Sequence, residues 1–225
     1  MKRVLMMFLG GLIVIGVGLG GLTWWAVSAQ KRLNLNRGEV RTLTTTDVNL
    51  RTPQRLQLTV RTAVVRIKTG STPRLHLVNV SRGQYQVSQH AGNVRVVERG
   101  SHQHQLEIGR SPQLTVTAPP KTLRALRIDQ LNGTLKLTNL TVGQLTIRHH
   151  NGTTLANRLT LKAASRLVKD NGQTTLTGLT TPGLAVTVKT GQIKVDGHSQ
   201  KTHYRQAGKA PLVLTSSSGQ VTITH

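Results

Sequence analysis

Three aspartates, Asp129, Asp170 and Asp196, lie near a set of recurring Asn-Gly and Thr-Gly pairs, and acids converging from neighbouring segments are what glycoside cleavage requires. Relative to those pairs they stand three residues before, one before and six after, so a repeating fold would not stack them into one cluster. His102 and His104 alternate onto one face of an expected strand, and His149-His150 precede a corner. Two neutral imidazoles on one face can bind a metal, but no adjacent Asp, Glu or Cys completes a ligand set. These residues predict no catalytic centre, metal or cofactor, and the chain reads as a non-enzyme. A carbohydrate-active β-helix enzyme remains the alternative.

Charge is the stronger chemical signal. Lys and Arg number 30 against 7 acids, a net +23, which calls for an acidic partner. Arg127, Arg148 and Arg166 precede the recurring pairs, and Lys136 and Lys194 follow them, so outward-facing basic rows are expected to bind polyanions. The polyanions of a cell envelope are anionic lipid head groups and phosphate-bearing polymers. Aromatic residues are only 2% of the chain, which leaves few platforms for stacking bases. No specific nucleic acid is expected, although a nucleic-acid-binding protein is a second alternative. The chain has no cysteine, so disulfide and thiolate chemistry are excluded.

What must position these residues is a repeat. Asn132-Gly133, Asn151-Gly152, Asn171-Gly172, Thr190-Gly191 and Ser218-Gly219 recur, the first four every 19 or 20 residues. Four residues before each pair stand Ile128, Ile147, Leu167, Val186 and Leu214; six before stand Leu126, Leu145, Ser165, Leu184 and Leu212. Five after come Leu137, Ala156, Leu176, Val195 and Ile223, with the second rung slipping to Leu155. This period-two pattern on both sides of a Gly corner predicts an all-β, parallel β-solenoid or β-helix-like domain with one coil per interval. The glycines would supply positive φ at each corner and the asparagines a hydrogen-bonded ladder. "HSQKTHYRQAGKA" reads as a loop inserted before the last coil, and an antiparallel sandwich with Asn-Gly hairpins is the competing fold. Upstream, "RLQLTV", "AVVRIK", "RLHLVNV", "QYQVSQ" and "NVRVVE" also read as strands.

Residues 4–27 carry no charge, and as a helix their 24 residues would span about 36 Å, enough for a bilayer core. Residues 1–30 therefore read as a single N-terminal transmembrane anchor, 31–45 as a polar connector and 46–225 as the solenoid domain. Trp24-Trp25 suits the membrane interface, and Gly16 and Gly20 permit a homodimer through the helix. The expected location is the cell membrane with the C-terminal domain extracellular, or secretion if the segment is cleaved.

"LRIDQLNGTLKLTNL", "LTIRHHNGTTL", "AVTVKTGQIKVDG" and "LVLTSSSGQVTIT" resemble the DUF4097 family of adhesin-like proteins. The resemblance runs from about Leu58 to Thr224. It implies a β-solenoid-like domain of short Gly-cornered strands behind a membrane anchor, a surface location, adhesion, and association with envelope-stress responses through an unidentified signalling partner. It supplies no catalytic residues.

Overall fold

Alternating aliphatic residues on either side of each Gly corner form long, sharply bent strands in the computed structural model, which describes residues 16–17, 20–121, 123–209 and 211–225. Most of the expected membrane anchor, with Lys2 and Arg3, lies outside the described residues. Its described part is helical at 20–28, and among the described residues no helix is long and apolar enough to cross a membrane.

The N-terminal strands are β1 (Lys31–Asn34), β2 (Glu39–Thr42), β3 (Thr44–Asn49), β4 (Arg55–Thr69), β5 (Arg74–Val80), β6 (Tyr85–His90), β7 (Asn93–Glu98), β8 (Glu107–Gly109) and β9 (Gln113–Ala118). The repeat region follows as β10 (Ala125–Val142), β11 (Gln144–Leu161), β12 (Ser165–Thr180), β13 (Leu184–Val195), β14 (His198–Gln200), β15 (His203–Gln206) and β16 (Leu212–Thr224). Residues 31–45 are more than a linker, because β1 pairs with both β2 and β8, and Arg32 and Asn34 are buried there.

The long strands run parallel and in register, with Asn132, Asn151 and Asn171 on one another and their glycines likewise. Gly133, Gly152 and Gly172 have φ of 110°, 121° and 106°. A Cβ at Gly152 would stand 2.0 Å from the Gly133 carbonyl oxygen, so glycine is required by close approach as well as by backbone conformation. The asparagines form the expected ladder. Asn151 Nδ2 donates to Asn132 Oδ1 at 3.2 Å, Asn171 Nδ2 to Asn151 Oδ1 at 3.0 Å, and Ser218 Oγ to Asn171 Oδ1. A second corner follows at Asn139, Arg158 and Gly178, with φ of 56°, 55° and 63°. It has no shared residue type in the sequence, and the coils of β10, β11 and β12 therefore have a third, short side that the Asn-Gly repeat does not announce.

Coil order departs from chain order. The parallel stack runs β4, β10, β11, β12, β16, β13, so the C-terminal strand is inserted between two strands that precede it. The segment read as an inserted loop makes this possible. Its strands β14 and β15 fold back antiparallel along the two halves of β13 and cover the outer edge of the stack. At the opposite end the first half of β4 pairs with β7 and the second half with β9.

The interior is aliphatic at the positions counted from the corners: Leu126, Ile128, Leu145, Ile147, Leu167, Leu184, Val186, Leu212 and Leu214 are all buried. The second rung does not slip. Ala156 is inside at 3% exposure and Leu155 lies outward, because the parallel register holds Ala156 against Leu137 and Leu176. One interior column is polar instead. Gln130, His149, Lys169 and Ser216 succeed one another just before the corner, with Thr154 and Thr174 buried just after it.

Candidate polyanion-binding face

On the half-coil before the Asn-Gly corner, period two sends Leu126 and Ile128 inward and leaves Arg127 outward. The same column continues across the sheet as Arg95 on β7, Gln57 on β4, Arg127 on β10, Thr146 on β11, Arg166 on β12, Val213 on β16 and Ala185 on β13, ending at Arg205 on β15. Arg95, Arg127 and Arg166 thus occupy every second strand, about 9.5 Å apart at ordinary strand spacing. All three are exposed.

Arg148 faces outward too, but two residues further along its strand, in the column that holds Asp129 beside it. Lys136 and Lys194 lie after the corner, on another side of the coil. They share a column, yet Leu155, Thr175 and Thr222 separate them, and the nearest cation to Lys136 in that column is Arg66. The five expected basic residues therefore divide into three on one face and two on another. Arg95 and Arg205 were not expected, because nothing local in "NVRVVE" or "HYRQ" says which strand lies beside it.

The face is furrowed along this column. A hollow of about 510 Å3 is lined by Arg55, Gln57, Arg95, Arg127 and Thr146, with His90 on its wall. The next, of about 560 Å3, shares Arg95 and Arg127 and is walled by Arg99 and His102. A third, of about 370 Å3, carries Thr146 and Arg166 toward Val213. Exposed guanidinium groups repeated along a furrow can engage phosphate oxygens by paired N–H donors while an extended anion lies across several strands.

The other candidates are placed separately. His102 and His104 belong to an irregular segment, not to a strand face as expected, since 101–106 is turn and coil before β8 begins. His149 points into the solenoid, where its Nδ1 lies 2.8 Å from Thr154 Oγ1; burial, then the Lys169 ammonium, pushes its pKa down to about 3. His150 points out and its Nδ1 lies 2.6 Å from Asp170 Oδ2. Asp196, at a turn with φ 46°, accepts the backbone N–H of His225 at 3.0 Å, and that hydrogen bond, followed by the one from the His225 ring, lowers its pKa. Asp129, Asp170 and Asp196 thus occupy three separate places. Among the described residues no group of His, Cys, Asp and Glu could hold a metal ion.

One solved structure shares the architecture, and a second is similar at a lower TM-score. A candidate cell adhesion protein from Clostridium sporogenes is 9% identical with a TM-score of 0.62, the match covering 81% of this chain and 99% of that one. A candidate adhesin from Bacteroides fragilis is 11% identical over 82% of this chain and 97% of that one, with a TM-score of 0.32. At such identity the first likeness is one of fold. Curated proteins provide no match. The family described as Toastrack DUF4097 matches residues 53–225, which take in every long strand from β4 to β16, and the chain accordingly belongs to the Toastrack DUF4097 family.

Proposed function

We propose that the chain is a membrane-anchored surface scaffold that binds envelope polyanions, anionic lipid head groups or phosphate-bearing polymers, through the face bearing Arg95, Arg127 and Arg166. The observation that carries this reading is their registration on alternate strands of one exposed furrowed face, in a chain of net charge +23. Many guanidinium contacts, each weak in water, sum to useful affinity when the partner is itself a repeated anion. The Clostridium sporogenes protein of like fold is described as a candidate cell adhesion protein, which fits a binding scaffold.

Anchoring rests on the uncharged stretch 4–27, with the N-terminus inside and the β domain outside. Trp24 and Trp25 are exposed on the described helix at 20–28, and Lys31 Nζ lies 5.5 Å from the Trp25 ring. Leu35 and Val40 in the adjoining hairpin and Leu106 beside it are exposed as well, which suits contact with a membrane interface.

The test uses the full chain held in phosphatidylcholine nanodiscs and titrated with phosphatidylglycerol vesicles at increasing salt. Affinity falls steeply with salt if polyanion contact displaces counterions, as it does on nucleic acids. Binding that ignores salt, or that is equal for phosphatidylcholine vesicles, contradicts the reading. Protease added to intact cells checks topology: it degrades the β domain if that domain is outside and spares it otherwise.

A further inference from the structure

A second set of arginines, which has Arg99 in common with the furrowed face, surrounds a cavity near the N-terminal hairpin. It encloses about 600 Å3, and Arg37, Arg41, Arg61, Arg82 and Arg99 line it. Glu98 is the acid in that lining, and its carboxylate is already engaged. Its Oε2 accepts the Arg61 backbone N–H at 2.7 Å and its Oε1 accepts Gln84 Nε2 at 2.9 Å. Arg61 has only 6% of its side chain exposed; its Nη2 donates to Glu107 Oε2 at 2.8 Å, while its Nε–H is buried with no partner.

The other four guanidinium groups lie at the rim, and those of Arg82 and Arg99 are available from it. Arg41 is held by Glu39, and Arg37 donates to Gln103 Oε1 at 3.2 Å. Arg82 and Arg99 are exposed and form no salt bridge among the described residues. Gly83 and Gly100, with φ of 70° and 68°, keep that rim free of side chains. Five arginines against three carboxylates, Glu39, Glu98 and Glu107, leave net positive charge unless an anion occupies the space, and a buried donor left unpaired costs about 1–3 kcal/mol.

We propose that this cavity binds a phosphoryl group, carried by a small phosphate ester or by an anionic lipid head group. Donors here arrive from the hairpin, from β4, from the turn at 81–84 and from the segment after β7, so a tetrahedral oxyanion with several acceptor oxygens meets more of them than a planar carboxylate does. The volume suits an ester-sized ligand, whereas the furrowed face suits a polymer or a membrane surface. This site goes beyond the polyanion-binding face and does not depend on it.

The experiment is calorimetric titration of the full chain in maltoside micelles with inorganic phosphate, glycerol 1-phosphate and dihexanoyl phosphatidylglycerol, with dihexanoyl phosphatidylcholine as blank. The expected result is one saturable site per chain, weakened about tenfold or more by R82Q/R99Q and changed less than about twofold by R127Q/R166Q. Neither pair of variants touches a buried group, so folding is preserved and is checked by the unfolding midpoint. Binding of glycerol 1-phosphate identifies a free ester as a sufficient source; binding of the short lipid alone identifies the head group. Absence of saturable binding by all three probes overturns the site, as does equal loss in R127Q/R166Q. Failure of the face in the vesicle titration, with this site intact, leaves the two conclusions separate.

Discussion

Lys169 stacks directly on His149 in the parallel register of neighbouring coils, and both side chains lie inside the solenoid, at 1% and 0% exposure. Lys169 Nζ donates to the Gly152 carbonyl at 2.6 Å, so the ammonium is held by a backbone oxygen at the corner and not by a carboxylate. Burial lowers its pKa from 10.5 to about 8. His149 Nε2 in the same column, and Thr174 Oγ1 on the other side of the corner, have no hydrogen-bond partner.

Stability should therefore rise with pH in two windows. Between about 3 and 6.5 the unfolded chain binds a proton that folded His149 refuses, and between about 8 and 10.5 it binds one that folded Lys169 refuses. Near the top of the second window Tyr85 opposes the trend, since burial raises its pKa and its unfolded form ionises first. Lys169→Met should raise stability at neutral pH by roughly 1–3 kcal/mol and abolish the rise above pH 8, while reducing but not removing the acid loss, since burial remains the larger cause of the His149 shift. Urea midpoints across the pH range check this; an unchanged alkaline rise in the variant contradicts it.

Ile147 and Thr146 are adjacent but face opposite ways, 1% exposed and half-buried. Ile147→Lys places an unpaired charge in the coil interior at a cost of several kcal/mol, whereas Thr146→Lys should shift stability by less than about 1 kcal/mol. Equal unfolding midpoints for the two variants would rule out the stacked coils.

Gly152→Ala combines a φ of 121° with a Cβ 2.0 Å from the Gly133 carbonyl oxygen of the preceding coil. It should destabilise by roughly 2 kcal/mol or more, and more than Asn151→Ala, which removes one rung of the amide ladder at about 1 kcal/mol. Thermal denaturation of the two variants orders them.

The inserted terminal strand makes the last coils interdependent. β13 pairs in parallel with β16 and not with β12, so deleting residues 211–225 should strip hydrogen-exchange protection from β13 to β15 while β10 and β11 keep theirs. Retained protection in β13 would contradict the observed coil order.

Legibility in the sequence followed the physics. The Asn-Gly corners and the aliphatic positions four and six residues before them repeat in residue type, because stacking forces equivalent positions to be alike, and they could be counted. The second corner could not, since Asn139, Arg158 and Gly178 share a backbone conformation and no chemistry. The insertion of β16 was hidden because β13 and β16 have nearly the same pattern, and periodicity says that two coils are equivalent without saying which lies beside which. For the same reason Arg127 and Arg166 were legible as outward residues, while Arg95, which joins their column from a separate hairpin, was not. Lys169 was hidden by its charge: only the register with His149 places it inside.

The most direct test of the polyanion-binding face is its dependence on position at constant charge. Reversing Arg95, Arg127 and Arg166 together to Glu should weaken binding of the nanodisc-held chain to phosphatidylglycerol vesicles by about tenfold or more and flatten the salt dependence, with little change in unfolding temperature. Reversing Lys162, Lys189 and Lys201, all exposed and outside that column, alters net charge by the same amount. This control should retain most of the binding; equal loss in the two triple variants would show that total charge, and not the registered arginines, does the holding.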